Sequence, residues 1–276
     1  MARLVAGLAT SHLAMVLRDP PEAEREPVRR FRSGFKQLSE ALAASAADTL
    51  IVISAEHVNK FFLDNMPAFA VGTAESYQGP VEDIPIAKRS VTGDAALGEH
   101  LLRHGLAGGI DWARAGEWEL DHGMMVPLHF LDPDGRCRIV PVFVNCAAPP
   151  YPTLPRCYTV GQRIGEAVRS WSSDRRVAVL ACGGLSHSPG DERMGYIDEG
   201  FDRDFLERLT TDPPSLAAID EERVEAAGSS AGEVRAWIMA AGAFDGQLWQ
   251  RISYEAIPSY GTGCAQALTR EGEATR

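Results

Sequence analysis

The sequence predicts an α/β fold: one domain with a central, mainly parallel or mixed sheet flanked by helices, and a metal site at the C-terminal ends of its strands. Two observations carry the fold. Short apolar runs, mostly rich in Val and Ile, alternate with longer stretches of helical periodicity, as βαβ units require. The chain of 276 residues, 45% hydrophobic and 24% charged, has the balance of a globular protein able to bury one large core. Length alone, at roughly 150 residues per domain, allows two domains, but α/β folds often reach this size as one. The Gly/Pro-rich segments 80–85, 146–155 and 183–190 are too short to be interdomain linkers and are expected to be loops.

In chain order, residues 4–9 form the first predicted strand. Arg3 and the small apolar residues after it imitate a signal peptide, but Ser11 and His12 interrupt the run early. Helical periodicity over 22–45 precedes a second strand at 49–54 and a third at 68–72. A helix over 91–104 leads to strands at 138–144 and 176–181, separated by a helix over 156–171. Two more helices follow. That over 199–210 sets Phe201, Phe205 and Leu209 at i, i+4 and i+8 on one face, and the last covers 231–243. Residues 1–268 are assigned to the domain, and the charged stretch 269–276 is expected to be a frayed tail.

Several function classes are disfavoured at once. Lys and Arg total 27 against 38 Asp and Glu, a net charge of −11 that repels polyanions, so nucleic acid is not an expected partner. No apolar stretch approaches the 18 or so residues of a membrane span. The five cysteines are odd in number, irregularly spaced and without a Cys-x-x-Cys pair, which argues against a disulfide framework or a thiolate zinc site and for a cytoplasmic protein. Neither a P-loop nor a Gly-x-Gly-x-x-Gly motif is present. Ser186 lies in Gly184-Leu185-Ser186-His187-Ser188, which lacks the last glycine of a nucleophile elbow and weakens a serine hydrolase reading.

Histidines carry the chemical signal. Ligands collect beyond the carboxyl ends of parallel strands, and His12, His57 and His187 each follow a predicted strand there. His122 opens the Asp121-His122-Gly123 turn. If the strands are parallel neighbours, three imidazoles meet on one rim, as a metal site needs; two histidines and a carboxylate form the face used by non-haem Fe(II) oxygenases. The carboxylate could be Glu56, Asp121, Asp191, Glu192 or Glu233. Glu56, next to His57 in an extended segment, points the other way. Asp121 fits better as the acceptor that fixes an imidazole tautomer. Glu233 closes Ser230-Ala231-Gly232-Glu233 ahead of Val234, Trp237, Ile238 and Ala241, the pattern of a helix capping box. His100 and His104 stand four apart on a helix without a His-Glu-x-x-His motif and read as a solvated pair; His129 reads as a packed helical residue.

These residues resemble the class III, or LigB-type, extradiol ring-cleavage dioxygenases, which include protocatechuate 4,5-dioxygenase β-subunits and 2,3-dihydroxyphenylpropionate dioxygenases. The resemblance spans nearly the whole chain. It is carried by Thr10-Ser11-His12, by Glu56-His57 with Phe61-Phe62 and the segment 65–72, by Asp121-His122-Gly123 with Pro127-Leu128, by the segment 140–145, by Gly183-Gly184-Leu185-Ser186-His187, and by Glu233-Val234-Arg235-Ala236-Trp237 with Ile238. It implies that His12, His57 and Glu233 bind Fe(II), which displaces the capping role of Glu233. It implies His187 as the catalytic base and His122 as a proton donor and hydrogen-bond partner of substrate or oxygen. The implied reaction inserts both atoms of O2 beside the diol of a catecholic substrate, on a metal that holds the two reactants together. A homo-oligomer is implied too, and a small partner subunit that helps close the site is raised.

Substrate cues conflict. Protocatechuate enzymes carry Asn-Asp-His where this chain has Ala55-Glu56-His57, whereas the short 201–209 region with Asp212-Pro213 looks more like protocatechuate-type chains. Two other readings stand beside the dioxygenase. A zinc hydrolase could use the same His/His/Glu site. A non-catalytic paralogous subunit would be expected to have lost ligands that this chain retains.

Overall fold

The computed structural model describes residues 1–270. The strands are β1 (Arg3–Thr10), β2 (Thr49–Ser54), β3 (Phe69–Gly72), β4 (Ser76–Gly79), β5 (Arg89–Thr92), β6 (Ala113–Ala115), β7 (Arg138–Val144), β8 (Arg176–Cys182), β9 (Trp249–Ile257) and β10 (Thr262–Thr269). The helices are α1 (Arg25–Ala44), α2 (Ala95–Ala107), α3 (His122–Leu131), α4 (Leu154–Ser170), α5 (Glu199–Thr211), α6 (Glu221–Ala227) and α7 (Val234–Ala243).

Eight strands form one mixed sheet in the order β6-β3-β7-β2-β8-β1-β10-β9, and β4 and β5 form a separate hairpin. Its centre, β7-β2-β8-β1, is parallel throughout. Of these, β2, β7 and β8 are almost entirely buried and read as continuous apolar runs, as strands covered on both faces must, while β1 is buried only over its second half. Helices α2, α4, α5 and α7 pack on one face and α1 and α3 on the other, giving two apolar layers about one sheet. On α1 the buried residues Val28, Phe31, Phe35, Leu38 and Leu42 recur at helical spacing and form the stripe laid against the sheet.

The α/β expectation holds, with corrections at its edges. The strand expected over 68–72 is β3, which pairs antiparallel with β7 and parallel with β6 and so makes the sheet mixed. The helix expected from residue 91 begins at Ala95, because Asp94 caps it by accepting the Leu97 N–H at 3.0 Å, and Val91 and Thr92 belong to β5. The C-terminal hairpin β9-β10, not foreseen, adds two antiparallel strands beside β1. Thr269 is therefore strand, its hydroxyl accepting the Gly7 N–H at 3.0 Å, and the tail expected over 269–276 does not begin there. The remainder of that stretch, 271–276, lies outside the described residues. No helix among the described residues is long and apolar enough to cross a membrane.

Candidate metal centre and active site

Register places the site. In the adjacent parallel strands β2, β8 and β1, Ser54 pairs with Cys182 and Cys182 with Thr10, so all three strands end level with one another. The chain leaving each end delivers a histidine: His12 after β1, His57 after β2, His187 after β8. His122, the first residue of α3, reaches the same rim, its ring centroid 4.1 Å from that of His57 and 5.5 Å from that of His12. The four imidazoles and Glu233 line one cavity of about 270 Å³.

Glu233 sits at the centre. Its Oε2 lies 3.4 Å from His12 Nε2 and 3.7 Å from His187 Nε2, and its Oε1 lies 3.5 Å from His57 Nε2. The capping box expected at this position does not form. The Ser230 side chain makes no cap hydrogen bond, and Glu233 instead accepts the Gly184 N–H at 2.7 Å across the cavity floor. Two glycines make that approach feasible. A Cβ on Gly183 would stand 2.9 Å from both Cβ and Oε2 of Glu233, and Gly183 and Gly184 take φ of +127° and +62°. The Trp237 indole N–H ties the Gly183 carbonyl down at 2.9 Å, so the loop is held by α7, the helix that begins directly after Glu233.

Each imidazole is oriented through its second nitrogen, the usual way a ligand histidine is fixed in tautomer and direction. Buried Asp121 accepts both the backbone N–H of His57, at 2.9 Å, and its Nδ1–H, at 2.7 Å. Glu82 repeats the device on His122, accepting the backbone N–H at 2.9 Å and Nδ1–H at 2.7 Å. His187 Nδ1–H donates to the Leu185 carbonyl at 2.9 Å, and His12 Nδ1 faces the Ser54 hydroxyl at 3.4 Å. The Nε2 atoms are left to the cavity. Ring nitrogens of His12, His57 and His122 all lie within 4.8 Å of one another, Glu82, Asp121 and His122 form a second such group, and the Glu233 carboxylate turns one oxygen to His12 and the other to His57.

The electrostatics are coupled. Burial pushes Glu233 up, but the neighbouring His12 and His187 charges and the hydrogen bonds from His12 and His57 win, holding it well below the usual carboxylate range. Burial pushes His57 down, yet Asp121 and Glu233 outweigh it and raise its pKa well above the ordinary imidazole value. For His12 burial prevails over Glu233 and the shift is downward. A buried carboxylate that stays ionised beside imidazoles fits a divalent cation, which replaces the protons those imidazoles would otherwise hold.

The other sequence candidates lie elsewhere. Glu56 is buried and turned away, accepting the backbone N–H groups of Lys60 and Phe61 at 2.6 and 3.2 Å. Asp191 accepts the Arg193 N–H at 2.7 Å, and neither it nor exposed Glu192 lines the cavity. Ser186 is fully buried and donates to Asp202 at 2.9 Å, so it is not an exposed nucleophile. His100 is half-buried against the Ala167 carbonyl at 2.9 Å and stacks on Trp171, so its expected solvation is partial. His129 lies in α3 but on its exposed side, contrary to the packed role expected of it. Glu82 was not singled out from sequence: it stands in the 80–85 loop, where nothing in the local residue pattern ties it to a histidine forty positions on.

Residues 6–268 match the family described as the catalytic LigB subunit of aromatic ring-opening dioxygenase. The chain belongs to the LigB family. Among LigB relatives, a 2,3-dihydroxyphenylpropionate/2,3-dihydroxicinnamic acid 1,2-dioxygenase of Photorhabdus laumondii is 33% identical over 69% of this chain and 58% of its own length. A gallate dioxygenase of Pseudomonas putida is 32% identical over 69% of this chain and 56% of its own length, so the match takes in little more than half of these two proteins. A third relative, named as the first and from Burkholderia vietnamiensis, is 29% identical with 94% of both chains covered. In fold, the LigB chain is similar to the crystal structure of an uncharacterized protein from Escherichia coli K12, with a TM-score of 0.64 at 16% identity over 96% of this chain and 100% of that one.

Proposed function

We propose that the protein is an Fe(II)-dependent extradiol dioxygenase that opens the ring of a catecholic substrate with both atoms of O2. One observation carries the reading: two imidazoles from the ends of β1 and β2 face opposite oxygens of a single buried carboxylate, with two more imidazoles on the same cavity. His12, His57 and Glu233 would hold the metal, two neutral donors and one negative one on one face. Ferrous iron with open positions opposite such a face supplies redox access to dioxygen and a place for the diol beside it.

The rest belongs to the chain's own side chains. With Nδ1–H committed to the Leu185 carbonyl, His187 in its neutral form presents an unprotonated Nε2 to the cavity and accepts a proton there from a diol hydroxyl. His122 lines the same cavity, its Nε2 free of the Glu82 hydrogen bond. Burial pushes Glu82 up, but the hydrogen bond from His122 outweighs it and Glu82 is lowered; the carboxylate accepts Nδ1–H behind the ring, and His122 with a proton on Nε2 as well would donate it to an oxygen that develops negative charge. Asp121 keeps His57 turned towards Glu233.

The test is anaerobic reconstitution with Fe(II) followed by a catechol panel in air-saturated buffer. The expected result is uptake of about one O2 per catechol with a yellow, conjugated ring-opened product. Iron-dependent oxygen uptake that leaves the ring intact overturns the reading, as does activity obtained only with zinc on hydrolysable substrates.

A further inference from the structure

Besides the imidazoles, the charged side chain facing the cavity is Glu233. Leu13, Ala14, Pro189 and the Tyr260 ring make much of the remaining wall, with three hydroxyls: Thr262, which already donates to the Tyr260 carbonyl at 2.9 Å, Ser230, and that of Tyr260, which is buried without a partner. Among the described residues, the wall holds no lysine or arginine. Cations on the same connections are engaged or set apart. Arg18 opens on a separate groove that it shares with Asp19 and Asp83. Arg193 donates to the Glu225 and Ala226 carbonyls at 3.1 and 3.2 Å and lies beside Asp191. Lys60 is exposed and outside the wall.

The connections that carry the histidines also expose large apolar side chains. Met15 follows His12, Val58, Phe62 and Leu63 follow His57, and Met194 and Tyr196 follow His187. The last segment leans on the cavity wall, since a Cβ on Gly261 would stand 3.2 Å from the Gly195 Cα, and Gly261 lies between the wall residues Tyr260 and Thr262.

A carboxylate substituent entering this cavity would shed its water without gaining a lysine or arginine, meeting imidazoles and hydroxyls instead, next to Asp121 and Glu82 and within a chain of net charge −11. An apolar substituent would exchange water for apolar wall at no such cost. We propose that the substrate is a catechol whose ring substituent is uncharged and apolar, an alkyl or aryl group, in contrast to the carboxylated diols for which the relatives above are named. This rests on the dioxygenase reading and specifies its substrate class.

The test compares matched pairs on the Fe(II)-loaded protein: 3-butylcatechol against 2,3-dihydroxyphenylpropionate, and 4-isopropylcatechol against protocatechuate. Two readouts are taken, kcat/KM in air and Kd by anaerobic calorimetry. The neutral member of each pair is expected to be favoured at least tenfold in both. Carboxylated members that match or exceed their neutral partners overturn the substrate class while leaving the dioxygenase reading intact; failure to cleave any catechol overturns both. Ala14→Arg and Pro189→Arg set a cation into the wall from two different connections, and each is expected to shrink the preference by at least tenfold. Folded variants that keep the wild-type ratio count against the proposal.

Discussion

Glu82 grips His122 at two points, taking its backbone N–H on one carboxylate oxygen and its Nδ1–H on the other, at 2.9 and 2.7 Å. The ring is thereby fixed in direction and its Nε2 is directed to the cavity. Glu82→Gln keeps an acceptor but removes the charge behind the ring. Activity is expected to fall roughly 10- to 100-fold, the usual cost of losing such a partner. The loss should appear in kcat, with KM and bound iron near wild type. A parallel loss of iron would show that His122 is itself a ligand.

Asp121 performs the same service for His57, a proposed ligand, so its variant should fail differently. Asp121→Asn is expected to weaken Fe(II) binding by about 10- to 100-fold, read by competition with a chelator, while excess iron restores much of the activity. Unchanged metal affinity would remove Asp121 from any role in holding the site.

Ligand and base are separable by metal content. His12→Ala and Glu233→Ala should each purify without stoichiometric iron after reconstitution. His187→Ala should retain iron and lose turnover. A His187→Ala protein that cleaves catechols at the wild-type rate would end the base assignment.

Gly183 tests the close approach beneath Glu233. A methyl group there would meet Glu233 Cβ and Oε2 at 2.9 Å on a backbone with φ of +127°. Gly183→Ala is expected to cost about 1–3 kcal/mol of stability, seen as a lowered Tm, together with weaker iron binding. A normal Tm with normal iron content would show that the loop can relax.

A buried acid behind the His187 loop sets a pH dependence away from the metal. Burial raises Asp202 from 3.8 to about 6, outweighing the hydrogen bonds from Ser186 and Tyr254. Because the folded state binds this proton more tightly than the unfolded chain, the contribution is full below pH about 4 and is lost as pH rises through about 6. Relative to Asp202→Asn, the wild type should therefore lose on the order of 2–3 kcal/mol between those limits. Chemical denaturation of both proteins across that range measures it, and parallel curves would contradict the shift.

Much of this was legible in one chain. The strands at 49–54 and 138–144 coincide with β2 and β7, because buried parallel strands announce themselves as uninterrupted apolar runs. Strands half-exposed or very short, such as β9 and β6, carry no such run and were missed. His12, His57 and His187 were found by their place after strands. Glu233 was the hard case: locally its pattern is that of a cap, and only a glycine pair fifty residues away turns it to the metal face.

The sequence by itself determined the α/β class, the histidines poised at strand ends and, by resemblance, the family, since apolar periodicity and motif order are properties of neighbours along the chain. Tertiary structure alone decided the adjacency of β2, β8 and β1, which imidazole Asp121 holds, the grip of Glu82 on His122, and a cavity wall without lysine or arginine. Those depend on which strands pair and which loops meet, and distances across a folded sheet have no counterpart in local spacing.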